Sequence, residues 1–259
     1  MNVETDITAE TTISQDALSL FSDASQFPFI PKILSSYVER CVAKKLSNRL
    51  VEAVQGKRIK VFKGINQMFQ LANDATGLTP DELLRKTDFN GHDMSPTRLD
   101  SSFAEIRTVN YLKEQGFEDI NLLKAGKQKK ADILATFKGI KFAVEVANSI
   151  FSANKRVEPF QLRDWLVGRA SSDGKTGQLD NTTEETGASR TILVGVIDTF
   201  YSVVFNTHND YCEAAKLTWE ELNGKVGFHV AFVTGKEAVG YGRDDCVFPD
   251  LPNNGSNVV

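Results

Sequence analysis

Two carboxylates in the middle of the chain have a spacing that could bind a divalent cation. Asp132 and Glu145 lie in two apolar runs separated by Lys138-Gly139, which predicts a two-residue hairpin turn. In that register Phe137 pairs with Ile140, and Asp132 falls opposite Glu145, with Cβ atoms about 5 Å apart. Carboxylates this close repel each other unless a cation lies between them or one stays protonated. Mg²⁺ or Mn²⁺ accepts such oxygen ligands together with water and phosphate.

Strand parity gives this pair a common face. In the expected strand 141–147, the odd-numbered residues, including Glu145 and Ala147, share one face, while Val144 and Val146 point the other way. A glutamate between valines in so apolar a strand is not typical of a surface position. The alternative is a pair of solvent-facing residues on an open sheet face.

The elements that would position these residues alternate between helices and strands. The order helix, three strands, helix, strand, helix, strand predicts an α/β sandwich around a mixed sheet. The expected helices cover 98–115, 157–170 and 210–224, the strands cover 119–123, 132–137, 141–147, 191–198 and 228–234, and a polar loop covers 171–189.

The region before residue 96 is expected to be entirely helical. Apolar residues from 30 to 54 recur at helical spacing and predict one long helix, and a second helix is expected over 58–76. Thr79 and Glu82 form a capping box for a third. The expected division is therefore a flexible N-terminus (1–12), a helical region for DNA docking or dimerisation (13–95), an α/β domain (96–240) and a flexible tail (241–259).

The acidic positions and the element order together resemble the PD-(D/E)XK nuclease superfamily, the fold of many restriction enzymes and Holliday junction resolvases. Its pattern is an acid on the first helix, Asp at the start of the second strand, and (D/E)-x-K on the third. The resemblance covers about residues 98–235 and assigns Glu105, Asp132 and Glu145 to the acidic positions. It implies a restriction-endonuclease-like mixed β-sheet flanked by helices. The implied ligands of Mg²⁺ or Mn²⁺ are these carboxylates and the Val146 backbone carbonyl.

This sequence differs from the family pattern at one position: the residue that should be lysine is Ala147. In the family this lysine orients the attacking water and stabilises developing phosphate charge. The hairpin register places residue 147 opposite Lys130, so Lys130 is the expected catalytic replacement. Lys155 and Gln161 are weaker substitutes, and Asn148 points to the wrong face unless a bulge intervenes.

Two functions are compatible with this pattern. The resemblance implies a metal-dependent endonuclease that hydrolyses DNA phosphodiester bonds, of restriction or phage-defence type, acting on double-stranded DNA and able to work as a homodimer. The missing lysine favours an alternative, a catalytically inactive nuclease-like module that binds nucleic acid or scaffolds a complex.

The overall charge of the chain does not indicate a nucleic-acid partner, but one basic segment does. The net charge of −4 gives no overall attraction to phosphate, but residues 32–63 contain nine basic and two acidic side chains. This basic segment could dock on DNA or could be a solvated helical face. The polar start of the chain and the lack of an apolar run of about 18 residues predict a cytoplasmic protein without a membrane partner. Three scattered cysteines predict reduced thiols and no zinc site.

A competing interpretation concerns residues 168–176, GRASSDGKT, which resemble a phosphate-binding P-loop. Five residues separate the two glycines where the motif has four, and the segment follows an expected helix instead of a strand. Without strand-to-helix geometry the backbone amides are not directed at phosphates.

Overall fold

The computed structural model describes residues 15–87, 89, 91–92, 95–123, 130–149, 156–172, 174–197, 206–234 and 245–252. The expected flexible N-terminus (1–12), most of the expected tail (241–259) and Lys155 lie outside these residues. Among the described residues, no helix is long and apolar enough to cross a membrane.

A six-stranded mixed sheet lies at the centre of the fold. The strands follow one another in chain order across the sheet, β1 to β6. The first three are antiparallel, β3, β4 and β5 are parallel, and β6 is antiparallel to β5. The predicted α/β class and mixed sheet are therefore confirmed. The strands are β1 (Glu118–Leu122), β2 (Ile133–Phe137), β3 (Ile140–Ser149), β4 (Arg190–Ile197), β5 (Phe228–Thr234) and β6 (Cys246–Phe248).

The hairpin between β2 and β3 has the predicted register. Phe137 pairs with Ile140, and the ladder continues to Ile133 opposite Val144. Lys138 and Gly139 both have positive φ, 50° and 77°. Two consecutive left-handed residues are the geometry of a type I′ turn, which matches the twist of the flanking strands. This turn brings Asp132, one residue before β2, beside the middle of β3.

We expect Gly139→Ala to destabilise the protein by about 1–2 kcal/mol, because a Cβ is disfavoured in the left-handed region. Gly177→Ala is the matched control: Gly177 is helical, and a Cβ there would have no heavy atom within 4 Å. That change is expected to stabilise by about 0.4–1 kcal/mol through lost chain entropy in the unfolded state. Urea unfolding measures both changes. Equal effects of the two substitutions would contradict the assigned turn.

Nine helices are present in the described ranges. Five precede α6, α6 leads into β1, and the last three connect the parallel strands: α7 and α8 lie between β3 and β4, and α9 lies between β4 and β5. They are α1 (Gln15–Phe21), α2 (Lys32–Ala43), α3 (Arg49–Gln55), α4 (Ile59–Thr76), α5 (Pro80–Lys86), α6 (Pro96–Glu114), α7 (Pro159–Ser172), α8 (Lys175–Thr186) and α9 (His208–Glu221).

Three elements differ from the sequence-based expectation. The single long helix expected over 30–54 is two helices, because Lys45 has a φ of 55° and the Asn48 side chain caps α3 by accepting the Val51 amide. The expected polar loop 171–189 contains α8, whose two buried residues, Leu179 and Thr182, are too few to give an apolar helical periodicity. Residues 246–248 of the expected tail form β6, which pairs with β5.

The two faces of the sheet are covered by different helices. One apolar cluster joins the N-terminal helices, α6 and the face that includes Val144 and Val146. Two smaller clusters pack α7, α8 and α9 against the face that includes Ala143 and Ala147. The helical region and the α/β region therefore share one continuous core, and Glu145 belongs by strand parity to the face that α8 covers.

Candidate functional site

Asp132, Glu145 and Lys175 meet where α8 begins above the β2–β3 hairpin. The Asp132 carboxylate accepts the Val146 backbone N–H at 2.7 Å, which fixes it across the two strands. The Lys175 Nζ donates to Glu145 Oε1 at 2.5 Å and to the Val146 carbonyl oxygen at 2.7 Å. A single ammonium group thus lies against two of the four groups expected to bind a cation, the Glu145 carboxyl and the Val146 carbonyl.

One face of α8 holds this arrangement on the sheet. Lys175, Gln178 and Thr182 follow each other at three- and four-residue spacing, so they project from the same side of the helix. Thr182 Oγ1 accepts the backbone N–H of Ala131 at 2.7 Å. With its amide nitrogen turned toward the acceptors, Gln178 donates to the Glu145 carboxylate at 3.3 Å and to a backbone carbonyl at 3.0 Å. The helix therefore orients Glu145 through two side chains.

Burial raises the pKa of both carboxyl groups, and the charge of Asp132 adds to this effect at Glu145. Glu145 has no exposed surface, and burial together with the neighbouring Asp132 charge raises its pKa to about 9, against the opposing effect of Lys175. Burial also raises the pKa of Asp132, while Lys175 and the Val146 amide act in the opposite direction. A hydrogen bond between the two carboxyl groups raises the pKa of Glu145 and lowers that of Asp132.

We expect the raised pKa of Glu145 to make the protein less stable as pH rises from about 4.5 to about 9. In that window the folded state binds more protons than the unfolded state, so the free energy of unfolding falls with pH, by at most about 1.4 kcal/mol per unit. Glu145→Gln should flatten this slope, whereas Glu184→Gln, a change of an exposed residue on α8, should keep it. Urea unfolding at pH 5, 7 and 9 tests this; parallel profiles for wild type and Glu145→Gln would contradict it.

Lys130, the expected replacement for the family lysine, is placed differently from Lys175. Its ammonium forms an ion pair with Glu185 at 2.5 Å, and both side chains are more than a third exposed. Lys175 instead is only 12% exposed in its side chain and contacts Glu145 directly. Of the weaker substitutes, Gln161 accepts the Glu158 backbone N–H at the start of α7.

Glu105 lies half-buried on α6. That helix packs in the cluster that contains Val144 and Val146, on the face opposite to the one to which Glu145 belongs. The role of Glu105 as a third acid therefore stays a prediction.

The sequence does not single out Lys175, because the polar residues 171–189 predict a loop and no helix. Lys175 belongs to the GRASSDGKT segment, whose resemblance to a P-loop was the one local hint of chemistry there. The described part of this segment runs from α7 into α8 and so lacks the strand-to-helix geometry of a P-loop. Its lysine contacts a carboxylate on the sheet instead.

The cysteines also differ from expectation. Cys212 on α9 and Cys246 on β6 form a disulfide, so the prediction that all three thiols are reduced is wrong for this pair. Cys41 is a buried free thiol.

Fold and site together define an α/β protein with a buried centre of two carboxyl groups and a lysine. Comparison with models of known families, with curated proteins and with solved structures found no match. The resemblance to nucleases consequently rests on the residues of this chain alone.

Proposed function

We propose that the protein is a metal-dependent endonuclease of the PD-(D/E)XK type that hydrolyses DNA phosphodiester bonds, in restriction or phage defence. The observation that supports this most is the convergence of the Asp132 and Glu145 carboxyls, the Val146 carbonyl and the Lys175 ammonium. Lys175 takes the place of Lys130 as the lysine of the site, because Lys175 contacts Glu145, the acid that the family lysine would follow.

The donor set fits Mg²⁺ or Mn²⁺. Two carboxyl groups and a backbone carbonyl are hard oxygen donors of the kind these cations prefer. The Lys175 ammonium already lies against Glu145 and Val146, so the same space accepts a positive charge. Asp132, Glu145 and the Val146 carbonyl would hold the cation. When bound, it polarises the scissile phosphate and lowers the pKa of a water molecule.

The residues around this centre have separate tasks. Gln178 and the Val146 amide hold the Glu145 and Asp132 carboxylates in fixed orientations. Lys175 starts a helix at the edge of the site, so rotation of its side chain can direct the ammonium to a phosphate oxygen or to the attacking water. A positive charge at that point stabilises the negative charge that develops on the phosphate. The exposed basic residues of α2 to α4 would supply contacts to the DNA backbone.

Incubation of the purified chain with supercoiled plasmid and Mg²⁺ or Mn²⁺ tests the proposal. We expect nicked or linear products that disappear when EDTA removes the cation. Intact plasmid and intact linear duplex after incubation with either cation would overturn it.

A second function is favoured by the position of Lys175 itself. Its ammonium makes short hydrogen bonds to Glu145 and to the Val146 carbonyl, two of the groups that would bind the cation. If this ammonium stays in place, it excludes the cation, and the carboxyl groups and the lysine have only a structural role. The protein would then be a nuclease-like module that binds nucleic acid without cutting it. Binding of a fluorescent duplex that weakens steeply with salt, without cleavage under any cation, would favour this function.

A further inference from the structure

His208, Cys212 and Cys246 form a cluster of soft donors at the far edge of the sheet from the carboxylates. His208 is the first residue of α9 and Cys212 lies one turn later on the same side of the helix, while Cys246 begins β6. One ligand atom from each residue lies within 4.8 Å of the other two. The His208 Nε2 and Cys212 Sγ are 3.3 Å apart. Three potential metal ligands thus converge on one point.

We propose that, when Cys212 and Cys246 are reduced, these three side chains bind one Zn²⁺ ion. Two thiolates and an imidazole are a donor set that zinc prefers, at about 2.3 Å from sulfur and about 2.0–2.1 Å from nitrogen. Tetrahedral ligands at those lengths lie about 3.5–3.8 Å from one another. His208 and Cys212 are already near that separation, and small rotations of the cysteine side chains supply the rest.

The scaffold around the cluster holds its members in place without the disulfide. Thr207 and Asp210 form a capping box at the start of α9, and Asp210 also accepts a 2.5 Å hydrogen bond from Arg156. On the other side, Cys246 pairs with Phe232 in the ladder between β5 and β6. The helix end and the strand are therefore positioned by contacts that survive reduction.

The chemistry balances with a thiol as reductant. Two thiol molecules reduce the Cys212–Cys246 disulfide, giving two protein thiols and one disulfide of the reductant. Binding of Zn²⁺ then releases the two thiol protons. His208 is exposed and Cys212 half-buried, so solvent reaches the cluster and a water molecule would be the fourth ligand. Three protein ligands with one open position distinguish such a site from a closed structural one.

Zinc titration of the full-length chain tests this inference. The chain is reduced with a phosphine, freed of metal, and titrated with Zn²⁺ against a chromophoric chelator. We expect one tightly bound ion per reduced chain and none in the oxidised chain. His208→Ala, a change of an exposed residue, should weaken binding by more than about tenfold, since even outer-shell changes cost about 10–100-fold.

Two further variants separate a zinc site from general thiol binding. Cys212→Ser should abolish tight binding, whereas Cys41→Ser should leave it unchanged because Cys41 is a buried thiol in the N-terminal helices. Co²⁺ in place of Zn²⁺ should give thiolate-to-metal absorption in the wild type and in Cys41→Ser only. Equal zinc affinity in wild type, His208→Ala and Cys212→Ser, or no tight binding by the reduced wild type, would overturn the proposal.

Discussion

Replacing Asp132 by Asn or Glu145 by Gln is expected to lower Mg²⁺-dependent DNA cleavage by about 10³-fold or more. Each change removes one carboxyl group that would bind the cation from a donor set of three, and the contribution of a bound metal to transition-state stabilisation is several kcal/mol. A loss of about 4 kcal/mol corresponds to about 10³ in rate. Initial rates of plasmid nicking at fixed Mg²⁺ concentration measure the effect.

The control for this prediction is Glu184→Gln, which removes one negative charge from an exposed position of α8. It should cleave at the wild-type rate. Circular dichroism and urea unfolding must show that the two site variants remain folded. We expect this because burial raises the pKa of both carboxyl groups and so favours the neutral forms that Asn and Gln resemble. Unchanged cleavage by both site variants would refute the assignment of these carboxylates.

Lys175→Met is expected to lower cleavage by about 10²–10³-fold, the usual loss when one preorganised donor to a developing oxyanion is removed. The matched change Lys130→Met should have little effect on the rate. Lys130 is more than a third exposed and paired with Glu185, and such surface pairs contribute at most about 1 kcal/mol to stability. Comparing the cleavage rates of the two variants under identical conditions therefore identifies the lysine of the site.

Each outcome of this comparison has a distinct meaning. A larger loss of cleavage rate for Lys130→Met than for Lys175→Met would assign the catalytic role to Lys130. Faster cleavage by Lys175→Met than by wild type would mean that the ammonium competes with the cation and has no catalytic task. Binding of a duplex should be nearly equal for both variants in EDTA, because each change removes one of the 30 lysine and arginine charges of the chain.

The hairpin and its carboxylates were predictable because their information is local. The Lys138-Gly139 turn and the alternation of strand residues are encoded within a short stretch of sequence, and backbone sterics convert them directly into register. The helices α4 and α5 were equally predictable, since apolar periodicity and the Thr79–Glu82 capping box are local patterns.

The sequence by itself determined the α/β class, the register of the hairpin and the proximity of Asp132 to Glu145. Only the tertiary structure decided which lysine contacts them, because Lys175 and Glu145 are 30 residues apart in the chain. In addition, the sequence of α8 is too polar to predict a helix from apolar periodicity. The same holds for the disulfide between Cys246 and Cys212, which depends on the position of the three-residue strand β6. Such contacts depend on how whole elements pack, and no local pattern of residues specifies that packing.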